Sequence, residues 1–357
     1  MPYAILVLFF ITAFISLYEE YLGKYKWIVV SILLTSLIIV AGTREVGSDP
    51  DSLNYEQYYL HYDDTTNEMD GTQNNVEWSF IFFSSILTKF TNDVHAIFLL
   101  YAFLAVVIKF IAFRKLSKFI FLPLVVYISY YYPIQECIQI RAGVMSGLFL
   151  LAIFQLSIGN KFKAIMFILM GAFFHISALS LLPLALLNNK PLSHKKRYKW
   201  AFLIPIGYIM YFIGVGVVFN LASNIPYVGF KLSAYQKAVE LGIVIANIYP
   251  FSPTQLLTII IYCILLRYYD TVLLYDKYFP VMMKVFSLGI FVYTGLSFIP
   301  VLADRISSLL NVVNIILFTD IAYIFRQKWA GKVIILVFSI AYLGYSLYYT
   351  FEFKPIG

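Results

Sequence analysis

Three arginines stand at the ends of apolar segments in a chain in which only 13% of the residues are charged. Arg44 follows one such segment, whereas Arg141 ("ECIQIRAG") and Arg305 ("LADRISS") each precede another. An arginine at a helix end can extend its side chain to lipid headgroups, which is the purely structural interpretation. A guanidinium also grips phosphate through two parallel hydrogen bonds, and a helix N-terminus adds backbone N–H groups. Three such arginines therefore favour a site for a lipid-linked phosphate or diphosphate.

Carboxylates and a tyrosine follow the first arginine. Asp49 and Asp51 form "DPD", which has the spacing of a metal-binding DxD motif, although loop acids of this kind also cap turns. Glu77 begins "EWSF", where it is either a favourable charge at a helix N-terminus or a general base. Tyr55 lies between these acids and is either part of an interfacial belt of tyrosines or a contact for a sugar ring. The residues leave open which of the three acids takes a proton.

Two further acids and a histidine complete the candidate set. Glu136 and Asp304 precede Arg141 and Arg305 closely, so we expect each acid to pair with and orient its arginine. His175 lies in the apolar stretch "GAFFHIS". A histidine in a membrane segment usually faces the protein interior, where it is either a packed neutral side chain or a hydrogen-bond partner of a phosphate or sugar.

Apolar segments recur along the 357 residues, 61% of which are hydrophobic. A helix needs roughly 20 apolar residues to cross a bilayer, so the sequence predicts an all-α polytopic membrane protein. Segment 78–90 is too short for one crossing and is predicted to be an interfacial or re-entrant helix. Segment 162–187 is predicted to be a broken helix pair, 162–172 and 176–187, with His175 near the turn. About ten full spans are expected: 2–18, 27–43, 94–113, 119–133, 141–158, 200–221, 252–268, 279–300, 305–325 and 333–350.

Basic residues set the predicted orientation, because cytoplasmic loops of membrane proteins are enriched in lysine and arginine. If both chain ends lie on the outer side of the membrane, most of the 26 basic residues lie on the cytoplasmic side. Loops 159–163 and 188–199 are both basic, so segment 162–187 should enter and leave on the same side; a single crossing is the alternative. Lys109 and Lys284 lie near the inner ends of spans and are expected to snorkel. The inner basic loops are 24–26, 114–118, 161–163, 190–199, 267–277 and 326–332.

The acids gather on the outer side, chiefly in loop 43–77, where they either perform chemistry or merely solvate the loop. With loop 222–251 this segment is expected to form the active-site face of a single membrane domain, 1–357.

Cys137 and Cys263 form neither a disulfide framework nor a metal motif. No P-loop, dinucleotide-binding or zinc pattern is present. We therefore expect no cofactor, no metal and no nucleic-acid partner, and interpret the net charge of +7 as a sign of topology.

Four motifs resemble those of a known family. "GTREVGSDPDSLNYEQYY" is similar to the R-x-x-x-G-x-D…Y signature of the EpsG family. "VEWSFIFFSSIL", "IRAGVMSGLFLLAI" and "GAFFHISALSLLPL" follow in the family's order, within residues 42–187. The later half is similar mainly in hydropathy, with "ADRISSLLN" in the place of a late outer arginine. The matched positions are Arg44, Gly47, Asp49, Tyr55, Glu77, Arg141 and His175.

The resemblance implies a Wzy-type polysaccharide polymerase with an architecture like that of the glycosyltransferase C membrane enzymes. Such an enzyme transfers a glycan from an undecaprenyl diphosphate carrier to the sugar of another lipid-linked repeat unit. It acts at the outer face of the bacterial cytoplasmic membrane, in the synthesis of exopolysaccharide, capsule or O-antigen. Its expected partners are the lipid-linked oligosaccharide, the membrane lipids and a chain-length regulator.

In this interpretation the site residues divide into two groups. Arg141 and Arg305 hold the diphosphate, and Glu77 or Asp49 takes the proton of the acceptor hydroxyl. The expected substrate-binding residues are Arg44, Tyr55, His175, Glu136 and Asp304.

Two other functions stay open. A wall-glycan or O-antigen ligase would use the same donor with a different acceptor. A flippase or transporter of the lipid-linked glycan would need charges strung through the membrane. The predicted spans contain few such charges: Lys109, Lys284 and Asp320.

Overall fold

A computed structural model describes residues 1–61, 77–223 and 248–351, and the regular elements in these ranges are all helical. This confirms an all-α protein. Five helices are long and apolar enough to cross a membrane, as a multi-pass membrane protein requires, while the expected number of ten spans stays a prediction. These five are Gly23–Gly42, His95–Leu116, Ile140–Ser157, Leu302–Tyr323 and Lys328–Tyr348.

Most of the α-helices coincide with predicted apolar segments. In chain order they are α1 Pro2–Leu17, α2 Lys26–Gly42, α3 Ser52–Leu60, α4 Trp78–Leu87, α5 His95–Leu116, α6 Phe121–Val126, α7 Tyr132–Gln135, α8 Ile140–Ser157, α9 Lys161–Phe174, α10 His194–Ala201, α11 Leu203–Ser223, α12 Pro253–Arg267, α13 Tyr269–Leu273, α14 Phe279–Gly295, α15 Pro300–Leu310, α16 Asn314–Asp320 and α17 Lys328–Phe351.

Two predicted spans are broken into shorter elements. A π-helical turn, Tyr127–Tyr131, joins α6 to α7 where span 119–133 was expected. Within the helical stretch Leu302–Tyr323, short 3₁₀ turns, Asn311–Val313 and Ile321–Tyr323, flank α16, where span 305–325 was expected. Hydropathy detects the apolar run but carries no information on the backbone hydrogen-bond pattern, which distinguishes an α-helix from these turns.

The chain packs into two compact units, each with its own helices. The second unit comprises Lys190–Tyr269 and Phe279–Asn314. There α11 packs on α14, and a Cβ on Gly207 would lie 3.2 Å from the carbonyl oxygen of Phe291. Loop 222–251, predicted to form part of the active-site face, lies almost wholly outside the described residues. The first unit comprises Met1–Asn189, Asp270–Tyr278 and Ile315–Gly357.

Helix α5 is central to the first unit. It packs on α2 and α8, and α8 packs on α9. Tyr132, at the start of α7, donates a hydrogen bond to the carbonyl oxygen of Leu37 at 2.6 Å and so ties α7 to α2. The segment that precedes α8 is therefore fixed to the same group of helices as α8 itself.

The predicted break at His175 is confirmed. His175 has an extended backbone (φ −153°, ψ 120°) and ends α9. The next segment, Ile176–Leu186, packs on α9 but is a 3₁₀-helix, not the expected α-helix. Pro183 lies inside it, and because proline has no N–H and clashes with a preceding carbonyl, it disfavours a regular α-helix there. The short helix expected at 78–90 is also confirmed, as α4.

We predict that the basic loop 188–193 lies in the cytoplasm. Ser193 is exposed, so a Ser193→Cys variant can be labelled in intact cells with a membrane-impermeant maleimide. The background is Cys263→Ser, because Cys263 is exposed whereas Cys137 is buried. The label should reach Ser193→Cys only after permeabilisation, whereas a Glu45→Cys control should react in intact cells. Reaction of Ser193→Cys in intact cells would show instead that 162–187 crosses once.

We also predict that Gly42→Ala destabilises the first unit. A Cβ at Gly42, the last residue of α2, would lie 2.9 Å from the Cα of Leu99 on α5. The backbones would have to separate, and such overpacking costs about 1–3 kcal/mol. Gly344→Ala in α17 is the matched control, because nothing lies within 4 Å of its Cβ position. Thermal unfolding in detergent should show a lower midpoint for Gly42→Ala alone; equal midpoints would contradict the close α2–α5 contact.

Candidate functional site

Two of the predicted chemical residues form an ion pair. Glu77 precedes α4 in an extended conformation, and its carbonyl oxygen accepts the N–H of Phe80 at 2.9 Å. Arg141 is the second residue of α8, and its Nη1 contacts Oε2 of Glu77. The Arg141 and Glu77 side chains are 19% and 14% exposed, so both reach the protein surface in part, whereas the two contacting atoms are buried. A residue predicted to bind phosphate and a residue predicted to take a proton therefore touch.

His175 joins this pair from the break after α9. Its Nδ1 lies 3.8 Å from Oε1 of Glu77. Nδ1 also accepts the backbone N–H of Ser177 at 3.2 Å, which fixes the neutral ring as the tautomer with its proton on Nε2. The break thus places the imidazole ring beside the ion pair.

Tyr55 on α3 forms another side of the site. Its ring centroid lies 5.4 Å from Cζ of Arg141, and it stacks on Phe80 with centroids 5.6 Å apart. Burial raises the pKa of Tyr55 to about 12, although the nearby positive charges of Arg141 and Arg44 oppose the shift. The phenol therefore stays protonated near neutral pH and acts as a hydrogen-bonding group, not as a base. We name Glu77, Arg141, His175 and Tyr55 the outer cluster.

Helix α5 supports the outer cluster through a residue that the sequence did not indicate. The hydroxyl of Tyr101 and Oγ of Ser79 are 2.8 Å apart, which fixes the first turn of α4 directly after Glu77. The Tyr101 ring also lies 6.1 Å from that of Phe80. One tyrosine in an apolar span carries no functional signal, so only the fold could reveal this contact.

Arg44 and Asp49 form a second, fully buried ion pair. Nε of Arg44 donates to Oδ2 of Asp49 at 3.1 Å, and both side chains are 0% exposed. The guanidinium lies over the ring of Phe98, 3.7 Å from its centroid. Oδ1 of Asp49 accepts the backbone N–H groups of Asp51 and Ser52 at 3.0 and 2.9 Å. Both carboxylate oxygens of Asp49 are thus engaged in folding the turn that begins α3.

Glu136 does not pair with Arg141 as expected. Its Oε1 accepts a hydrogen bond from Nζ of Lys109 on α5, and both side chains are fully buried. The prediction was wrong because it used closeness in sequence, whereas Arg141 meets Glu77 from another helix. Lys109 was expected to extend its side chain to lipid headgroups. It does not snorkel in this way, because its ammonium pairs with a carboxylate inside the protein.

Arg305 and Asp304 lie in the second unit. They are adjacent on α15, and both side chains are exposed. Their expected pairing is not among the ion pairs of the described residues. The role of Arg305 in holding phosphate and that of Asp304 in orienting Arg305 stay predictions.

The EpsG family model matches residues 25–355. The chain therefore belongs to the EpsG family, which is linked to exopolysaccharide biosynthesis. The match extends the resemblance seen at 42–187 to nearly the whole sequence. Comparisons with curated proteins and with solved structures found no match.

The two acids of "DPD" should differ in their effect on stability. Asp49→Asn keeps an oxygen for the backbone N–H groups but leaves the Arg44 charge buried without its counter-ion. Breaking a buried pair in this way costs about 3–5 kcal/mol. Asp51→Asn, at a half-buried position, should cost less than about 1 kcal/mol. Thermal unfolding of both purified variants measures the difference, and a stable Asp49→Asn protein would contradict a structural role for the pair.

Proposed function

We propose that this protein is a glycosyltransferase that polymerises lipid-linked oligosaccharide repeat units. It transfers a glycan from an undecaprenyl diphosphate carrier to the sugar of another lipid-linked unit, at the outer face of the cytoplasmic membrane. The observation that carries this proposal is the Glu77–Arg141 ion pair with His175 beside it, in a chain of a family linked to exopolysaccharide biosynthesis.

Arg141 is suited to hold the diphosphate. Its guanidinium contacts Glu77 through Nη1, and a guanidinium has further N–H donors in a fixed plane. Its place in the first turn of α8 adds backbone N–H groups and the positive end of the helix dipole. A diphosphate carries more negative charge than one carboxylate, so it competes with Glu77 for Arg141. The same donors stabilise the charge that develops on the diphosphate as the glycosidic bond breaks.

Glu77 is suited to activate the acceptor. When the diphosphate takes Arg141, the carboxylate loses its counter-ion and is released to accept a proton. The acceptor hydroxyl oxygen then forms a bond to the anomeric carbon, and its proton goes to Glu77. The bond from that carbon to the diphosphate breaks, and the leaving diphosphate keeps the electron pair. Donor binding and acceptor activation are thereby coupled through one ion pair.

The other members of the outer cluster orient the substrates. His175 offers its Nε2–H to a phosphate oxygen or a sugar hydroxyl. Tyr55, protonated and beside Arg141, offers a phenol and a ring face. Asp49 is a weaker candidate for the base than Glu77, because Arg44 and two backbone N–H groups occupy its oxygens. Arg44 contributes by shaping the turn before α3. Within the second unit, Arg305 stays a predicted phosphate-binding residue and Asp304 the acid that orients it.

A ligase with the same donor would use the outer cluster in the same way, because the two reactions differ only in the acceptor. A purified polymerase should lengthen lipid-linked repeat units into a ladder of glycans when no other acceptor is supplied. A transporter would leave the length of the glycan unchanged.

We predict that Glu77→Gln and Arg141→Ala abolish this ladder. Loss of general base catalysis lowers a rate by about 10²- to 10⁴-fold, and loss of a charge-stabilising donor by about 10²- to 10³-fold. Gel electrophoresis of the products of purified protein, incubated with lipid-linked repeat units, measures the effect.

Glu45→Gln and Lys89→Ala are the matched controls, because both residues are exposed charges outside the outer cluster. They should leave the ladder unchanged. Wild-type ladders from Glu77→Gln and Arg141→Ala would refute the assignment of these two residues, and a wild-type protein that forms no ladder would refute the polymerase itself.

A further inference from the structure

Lys109 on α5 contributes a charge that the outer cluster does not use. Its side chain is fully buried, and its ammonium lies 5.5 Å from the ring centroid of Tyr127. Besides the ion pair with Glu136, its Nζ donates to the carbonyl oxygen of Gly143 at 2.7 Å. One lysine therefore binds both the segment that precedes α8 and the first turn of α8.

The first turn of α8 lies unusually close to that preceding segment. A Cβ on Gly143 would lie 2.6 Å from the carbonyl oxygen of Gln135 and 3.3 Å from Oε1 of Glu136. Ser146, on the next turn, donates to Oε1 of Gln135 at 2.8 Å. Only glycine permits this approach, and the Lys109 ammonium holds the carbonyl oxygen of that glycine in place.

Helix α5 holds both partners of the Glu77–Arg141 pair. Arg141 stands two residues before Gly143, to which Lys109 donates. Glu77 stands two residues before Ser79, which is bonded to Tyr101. We propose that Lys109, together with Glu136, is a positioning pair that holds the start of α8 on α5 and thereby sets Arg141 against Glu77.

The energetics favour a role in geometry over a role in stability. A buried ion pair often contributes no more to stability than apolar side chains of similar size, because the desolvation cost offsets the attraction. An ammonium that binds a carboxylate and a carbonyl oxygen does, however, fix the distance between two elements. The combined variant Lys109→Met/Glu136→Leu should therefore fold while losing the restraint on Arg141.

A spectroscopic test separates this inference from the proposed function on which it rests. 3-Fluorotyrosine is placed at position 55, where the ring lies 5.4 Å from Cζ of Arg141, and its ¹⁹F NMR signal is recorded in detergent. The combined variant should unfold near the wild-type temperature yet shift or broaden the signal. Lys284→Met, which changes a buried lysine of the second unit, should leave the signal unchanged.

Glu136→Gln is the second variant. Its amide oxygen can still accept from Lys109, and the bond from Lys109 to Gly143 is kept, so the geometry is retained, although loss of the counter-ion should lower the unfolding temperature as in Asp49→Asn. It should keep a signal close to that of the wild type even if the combined variant does not fold. A wild-type signal in a folded combined variant, or an altered signal in Glu136→Gln equal to that of Lys109→Met, would overturn the positioning role of Lys109.

A binding measurement links the positioning pair to Arg141. The combined variant should bind undecaprenyl diphosphate about tenfold more weakly than the wild type, and should add no further loss in an Arg141→Ala background. Equal losses in both backgrounds would show that the pair acts independently of Arg141. A wild type that does not bind this lipid would refute the proposed function, while the ¹⁹F result still decides the positioning role.

Discussion

An ionised side chain inside an apolar helical protein costs several kcal/mol unless a partner of opposite charge lies beside it. Near the candidate site this constraint is met three times, by Arg44–Asp49, Lys109–Glu136 and Arg141–Glu77. Each pair joins two segments: the first closes the turn between α2 and α3, the second ties α5 to the start of α8, and the third joins α8 to α4. Pairing of charges thus determines which helix ends of the first unit meet.

The three pairs differ in the exposure of their side chains. The side chains of Arg44, Asp49, Lys109 and Glu136 are 0% exposed, so these two pairs belong to the protein interior. Arg141 and Glu77 are partly exposed, and the extended residue His175 and the ring of Tyr55 lie against them. When a ligand can reach an ion pair, the ligand can replace one of the two partners. The proposed binding of a diphosphate to Arg141, with release of the Glu77 carboxylate, requires this property.

The sequence allowed much of this to be predicted, and the failures have physical causes. Apolar runs were predicted to be helices because the cost of exposing backbone polar groups in lipid limits the choice to helices. The break at His175 was predicted because the loops on both sides of segment 162–187 are basic. Glu77, Arg141 and His175 were each singled out by residue type and position, and they meet. The partner of Glu136 was not predictable, because side chains pair across helices and not along the sequence. The contacts of Lys109 and Tyr101 depend on how α5 packs, which hydropathy does not specify.

The central claim is that Arg141 exchanges Glu77 for a lipid diphosphate. The most direct measurement is the affinity of purified protein for undecaprenyl diphosphate, compared among the wild type, Arg141→Ala and Glu77→Gln. Exchange predicts opposite effects: Arg141→Ala should bind more than about tenfold more weakly, since charge-assisted phosphate contacts contribute roughly 1.5–3 kcal/mol. Glu77→Gln should bind at least as tightly as the wild type, because the competing carboxylate charge is gone. Undiminished binding by Arg141→Ala, or weakened binding by Glu77→Gln, would contradict the exchange.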